Sequence, residues 1–167
     1  VKNYKISTPF FEFGPKAYLY GDKLLELMKK IDTYAEKYDM DVIADVQTTD
    51  LRLIAENTSD RIHVYSQHMD SIPVGRGMGT ILPEAVKATG AVGVMLNHAE
   101  CKLTLDEIKK AIERADEVGL ATIVCADTEE EIKAVAEMNP NIVVAEPSEL
   151  IGTGISVGRE YVDACIE

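Results

Sequence analysis

The chain has 167 residues, 46% of them apolar, with 17 Lys and Arg against 29 Asp and Glu and a formal net charge of −12. Length and apolar share predict one globular domain over residues 1–167 with a real core, and exclude an extended disordered chain. The acidic balance argues against nucleic acid or an anionic membrane as a general partner, yet leaves room for a small anion in a locally positive site.

Two kinds of segment alternate along the chain. Short β-branched runs read as buried parallel strands, and longer stretches with a 3.6-residue period read as helices. The first strand is placed at Val1 to Ile6. A helix follows over Lys23 to Tyr38, with Leu24, Leu27, Met28, Ile31, Ala35 and Tyr38 on one face. Val42 to Ala44 is the second strand, with a helix over Asp50 to Asn57. Ile62 to Ser66 is the third, with a helix over Leu82 to Ala88, and Val92 to Leu96 is the fourth. Thr104 and Glu107 have capping-box spacing at the head of a helix that runs to Val118. Ala121 to Cys125 is the fifth strand. Thr128 and Glu131 repeat the spacing before a helix to Met138, and the run Glu129-Glu130-Glu131 reads as a solvated helix start that favours the dipole. Ile142 to Ala145 is the sixth strand, residues 146–154 form a loop, and a last helix begins near Gly158.

Six strand-plus-helix units in unbroken alternation give an α/β fold with all strands parallel. An open doubly wound sheet usually shows a Gly-rich turn after its first strand. Here that turn is Ser7-Thr8-Pro9-Phe10, so the pattern favours a closed (β/α)8 barrel, of which about six units are present. The last two units are expected in a longer parent chain, since the edges of strands one and six are otherwise unpaired. A start a few residues upstream of Val1 is also expected, because the chain does not open on Met. No apolar run reaches membrane-spanning length and the first residues do not read as a signal peptide. Cys101, Cys125 and Cys165 are odd in number and lack metal-ligand spacing, which points to a reducing cytoplasm.

In such barrels the chemistry sits where strands end. Polar groups stand at Asn3 and Lys5, at Gln67-His68, at Asn97-His98-Ala99-Glu100 and at Glu146-Pro147, the last running into Leu150-Ile151-Gly152-Thr153-Gly154. A carboxylate before Pro at a strand exit has little packing purpose, so Glu146 is the clearest candidate. Lys5 alone reads as an ordinary strand-end lysine and His98 alone as a structural histidine. A metal site from His63, His68 and Asp70 is disfavoured, because strand alternation would put the two histidines on opposite faces. No metal is expected.

Taken in order, these segments resemble the triosephosphate isomerases. Asn3-x-Lys5, Asn97-His98-Ala99-Glu100 and the stretch Ala145 to Gly154 resemble that family's first-strand lysine, fourth-strand histidine and catalytic glutamate with its lid. Ile81-Leu82-Pro83-Glu84-Ala85-Val86 and Leu96-Asn97-His98 are similar to its short archaeal branch. The resemblance implies a cofactor-free aldose–ketose isomerase acting on a phosphorylated sugar. Its implied functions are glycolysis and gluconeogenesis in the cytoplasm, as a homodimer or homotetramer. By resemblance Glu146 is the general base, His98 the donor to the developing enediolate oxygen, Lys5 the counter-charge, Asn3 an orienting group and Gly152 a phosphate-binding backbone position. Gln67 supports the site, and Glu100 reads equally as catalytic support or as a salt-bridge partner.

Several residues depart from the family pattern. Ala99 stands where a serine is usual, and Cys101-Lys102 where an arginine-rich pair is common. Met78, in Gly75-Arg76-Gly77-Met78-Gly79, stands where a threonine hydroxyl is usual and cannot make its hydrogen bond. All three Phe residues fall at positions 10, 11 and 13, read as part of a long aromatic loop on the catalytic face with Tyr18 and Tyr20. Such a loop should not stay exposed, so a rim or subunit contact is expected. These departures keep two alternatives open: the same chemistry on another sugar phosphate such as a tetrulose phosphate, or a non-catalytic paralogue.

Overall fold

The computed structural model describes residues 4–166. Among the described residues six strands occur, β1 (Phe10–Phe13), β2 (Asp41–Val46), β3 (Ile62–Ser66), β4 (Gly93–Leu96), β5 (Ala121–Ala126) and β6 (Ile142–Ala145). They alternate with α1 (Gly21–Tyr38), α2 (Leu51–Ala55), α3 (Pro83–Ala88), α4 (Leu105–Val118), α5 (Glu129–Glu137) and α6 (Arg159–Ile166). Every neighbouring pair is parallel and the order is β1-β2-β3-β4-β5-β6.

That order separates the two architectures left open by pattern alone. A doubly wound sheet reverses its strand order at a switch point and carries helices on both faces. Here the order is sequential and the helices cover one face. Alternate strand residues Val42, Ala44 and Val46, with Val64, Val94 and Val124, pack outward against Leu24, Met28, Ile54, Ile108, Ile112 and Val135 of the helices. The residues between them, Ile43, Tyr65 and Ile123, turn inward into a second cluster with Phe10, Met95 and Val144 that, among the described residues, contains no helical one. The six units form a curled, incomplete (β/α) barrel. A β-carbon on Gly93 would stand 2.2 Å from Tyr65 Cε1, so the bare glycine lets the Tyr65 ring lie across β4 and fill the interior.

The first strand differs from expectation. Tyr4 to Ile6 is not a strand, and the aromatic segment Phe10–Phe13 pairs with β2 instead, Phe10 opposite Asp41 and Phe13 opposite Ala44. The physical reason is burial on both faces: Phe10 joins the inner cluster while Phe13 packs on the outer core. The segment read as an aromatic loop on the catalytic face is therefore largely β1, and Phe11 on that strand and Tyr18 and Tyr20 on the following turn stay exposed. Tyr4 and Ile6 close the opposite end of the barrel. The Tyr4 hydroxyl lies 3.2 Å from His63 Nδ1, and the Ser7 N–H donates to Asp41 Oδ2 at 2.7 Å.

Both predicted helix caps form, by different means. Thr104 Oγ1 accepts from the Glu107 N–H and Glu107 Oε2 accepts from the Thr104 N–H at 2.8 Å, a reciprocal box contributing about 1 kcal/mol. Thr128 Oγ1 accepts from the Glu131 N–H at 3.2 Å, but the Glu131 carboxylate is not solvated at a free helix start. It accepts from the Asp127 N–H at 2.7 Å and from Asn97 Nδ2 at 2.9 Å, which ties α5 to the ends of β4 and β5. Among the described residues no helix is long and apolar enough to cross a membrane.

Candidate active site

A cavity of about 410 Å³ opens at the C-terminal ends of the strands, and all six strand exits contribute to its wall. Inward alternation brings Glu12, Asp45, Met95, Cys125 and Val144 to its floor, while the first residues past the strands, Lys16, Gln67, His68, His98, Glu100 and Glu146, form its rim.

His98 and Glu146 converge across this rim, His98 Nε2 standing 3.8 Å from Glu146 Oε2. The backbone N–H of Glu100 donates to His98 Nδ1 at 3.1 Å. A nitrogen that accepts carries no proton, so the proton of a neutral imidazole sits on Nε2 and faces the cavity. The turn that presents His98 is held by Asn97, which adopts φ +57°. Its buried amide donates to Cys125 O at 2.8 Å and accepts from the Leu103 N–H at 2.9 Å. Glu146 is fixed from both sides. Its N–H donates to Ala126 O at 2.8 Å, and the Ser148 N–H donates to Asp127 Oδ1 at 2.8 Å, with the Ser148 hydroxyl on the other oxygen. The Ser148 hydroxyl and N–H together hold the Asp127 carboxyl below the usual carboxylate range.

The cation of the site is Lys16. Its Nζ lies 2.9 Å from Glu100 Oε1, and that contact raises the Lys16 pKa and lowers that of Glu100. Among the described residues it is the one lysine or arginine in the cavity wall. Lys16 has φ +50°, a left-handed conformation that costs a β-carbon-bearing residue on the order of 1 kcal/mol or more. Two glutamine amides hold it there. Gln67 Nε2 donates to Lys16 O at 3.0 Å and to Asp45 O at 2.9 Å, and Gln47 Nε2 donates to Lys16 O at 3.2 Å. Gln67 thus braces the loop that presents the lysine.

Lys5 is not brought to this cavity. It lines a shallow depression with Asp41, Asn141 and Ile142, at the opposite ends of the strands. Asn3 lies outside the described residues. Gly152, with φ +75°, sits in an exposed loop after β6 and does not line the cavity. The two histidines weighed as metal ligands sit apart in the barrel. His63 Nε2 is 3.4 Å from Asp41 Oδ2 at the start of β2, whereas His68 Nε2 is 3.6 Å from Asp70 Oδ1 beyond the end of β3. Among the described residues no group of three or more His, Cys, Asp and Glu is placed to hold a metal ion.

The floor holds a group that no motif announced. Asp45 is 1% exposed, and its carboxyl meets no N–H or hydroxyl donor among the described residues, facing the Glu12 carboxyl instead. Burial, and then the adjacent Glu12 carboxyl, raise its pKa well above the ordinary carboxylate range. Burial also pushes the neighbouring Cys125 thiol up to about 12, helped by the negative charges of Glu146, Asp45 and Glu12. Because the folded chain holds the Asp45 proton more tightly than the unfolded chain, this carboxyl favours folding most at low pH. Its contribution declines as pH rises through the ordinary carboxylate pKa toward the raised one. Asp45→Asn is therefore expected to stabilise the intact protein by about 1–3 kcal/mol near pH 8 and by less near pH 4, read as denaturant midpoints. An equal effect at both pH values would refute the assignment.

The family model described as triosephosphate isomerase matches residues 14–167. The triosephosphate isomerase of Sulfurisphaera tokodaii is 40% identical over 157 residues, covering 93% of this chain and 68% of that protein. The one from Methanobacterium bryantii is 40% identical over 165 residues, covering 96% and 72%. The one from Methanocaldococcus jannaschii is 40% identical over 139 residues, covering 83% and 63%. Matched from Gly14 to its last residue and this similar to archaeal relatives over most of its length, the chain belongs to the triosephosphate isomerase family.

Proposed function

We propose that the intact protein interconverts glyceraldehyde 3-phosphate and dihydroxyacetone phosphate without a cofactor, with Glu146 moving a proton between adjacent carbons through an enediolate. The observation that carries this reading is the approach of His98 Nε2 to Glu146 Oε2, 3.8 Å apart across a cavity that Lys16 also lines. Family membership supplies the reaction class, an intramolecular aldose–ketose isomerisation.

A substrate carbonyl between Lys16 and His98 presents its neighbouring C–H to Glu146. The carboxylate takes that proton, and charge develops on the carbonyl oxygen. The Nε2–H of His98 donates to this oxygen, and the Lys16 ammonium offsets its charge in a site shielded from water. Glu146 then returns the proton to the adjacent carbon, while the neighbouring hydroxyl gives up its proton and the former carbonyl oxygen gains one by way of His98 Nε2. The Glu100 N–H on His98 Nδ1 serves this chemistry by keeping the donor on the cavity side. In this reading the lid carrying Gly152 closes over the substrate. Its backbone N–H then meets the phosphate and closure excludes water. The protein works as a homodimer or homotetramer.

Turnover of triose phosphate against four-carbon sugar phosphate tests the reading. We expect triose phosphate to be the better substrate by kcat/KM, and negligible triose turnover by the intact protein overturns it. The second reading, a tetrulose phosphate isomerase, is favoured by the Glu12 carboxylate in the cavity wall, a hydroxyl acceptor that a triose does not require. A reversed preference would establish it.

A further inference from the structure

Cys101 plays no part in the proton transfer described above, yet it is the exposed one of the cysteines, with Cys125 buried and Cys165 half-buried. Its Sγ stands 3.8 Å from His68 Nδ1, within reach of a thiol hydrogen bond. On the far side of the ring, His68 Nε2 stands 3.6 Å from Asp70 Oδ1. Asp70 is itself anchored, its Oδ2 accepting from the Ile81 N–H at 2.6 Å and its own N–H donating to Ile81 O at 2.9 Å. With the Asp70 carboxylate on its Nε2 side, the ring presents Nδ1 to the thiol. Nucleophile, base and orienting carboxylate thus form one chain, drawn from the exits of β4 and β3 and the loop beyond β3. Both Cys101 and His68 line the cavity, so a reagent reaching the thiol arrives through a shaped opening.

We propose that Cys101, His68 and Asp70 form a nucleophilic thiol site on the cavity rim that takes small uncharged carbon electrophiles, aldehydes and activated methylene compounds. With an aldehyde, the sulfur–carbon bond forms as the carbonyl π pair moves onto oxygen. The thiol proton passes through His68 Nδ1 to that oxygen. The product is a hemithioacetal, nothing is oxidised or reduced, and the step reverses. With iodoacetamide, the sulfur–carbon bond forms as iodide leaves and His68 takes the thiol proton. The assignment is independent of the isomerase reading, since it requires no turnover.

Iodoacetamide is the probe, used on the intact protein at pH 7, with the rate at each cysteine read by peptide mass spectrometry. Cys101 is expected to react about tenfold or more faster than glutathione under the same conditions. His68→Gln is expected to slow Cys101 about tenfold, and Asp70→Asn to slow it severalfold. Glycolaldehyde is expected to protect Cys101, with full reactivity restored on its removal. A wild-type Cys101 rate within about twofold of glutathione overturns the proposal without recourse to any variant. So does an unchanged Cys101 rate in both variants.

Discussion

Glu146→Asp is expected to lower kcat by about a hundredfold or more while KM moves little. The substitution keeps the carboxylate and withdraws it by one methylene, roughly 1 Å, from the carbon it must deprotonate. The backbone cannot follow to compensate. The Glu146 N–H is held on Ala126 O at 2.8 Å, and Ser148, two residues on, is held by Asp127 at 2.8 Å. The loss falls on kcat because the base makes its new bond only in the transition state, whereas ground-state contacts to the substrate come from elsewhere. Steady-state kinetics on triose phosphate check this, with thermal unfolding of the variant as the control for folding. Turnover equal to that of the parent protein would remove Glu146 from the role of base.

Some of the barrel was open to reading and some was not, for identifiable reasons. β3 and β6 stand where the β-branched runs Ile62 to Ser66 and Ile142 to Ala145 placed them, and α4 starts at the Thr104 box, because these signals are local. The first strand is a non-local choice. Both Val1 to Ile6 and Phe10–Phe13 can alternate faces, and only the curled partner β2 with its two cores decides between them. The Asn-x-Lys match drew attention to Lys5. The position two before Lys16 is Gly14, so the lysine that reaches the cavity carried only half of the pattern. Glu146 and His98 announced themselves at strand exits. Asp45 did not, because a carboxylate inside a strand reads as a surface residue until the sheet curls over it. The approach of Cys101 to His68, 33 residues apart, is equally invisible to spacing.

Two lysines at opposite ends of the strands, Lys16 and Lys5, allow a direct comparison. Lys16→Ala is expected to lower kcat/KM by about a hundredfold or more, and Lys5→Ala to leave it within about twofold. Lys16 stands in the cavity wall beside Glu100, whose carboxylate favours its charged form. Removing it leaves a cavity with carboxylates at Glu12, Glu100 and Glu146 and no lysine or arginine among the described residues to offset a phosphate or a developing oxyanion. Lys5 sits at the other end of the strands beside Asp41, where a change of charge acts on the site only through the length of the barrel. The two variants also separate binding from chemistry. A lysine that only gathers the anion would raise KM alone, whereas one that also meets the oxyanion lowers kcat as well. Steady-state kinetics of both variants on triose phosphate decide the matter. A severe loss in Lys5→Ala with near-parent activity in Lys16→Ala would mean that the working cation enters from the barrel's other end, and the site built here on β1 would fall with it.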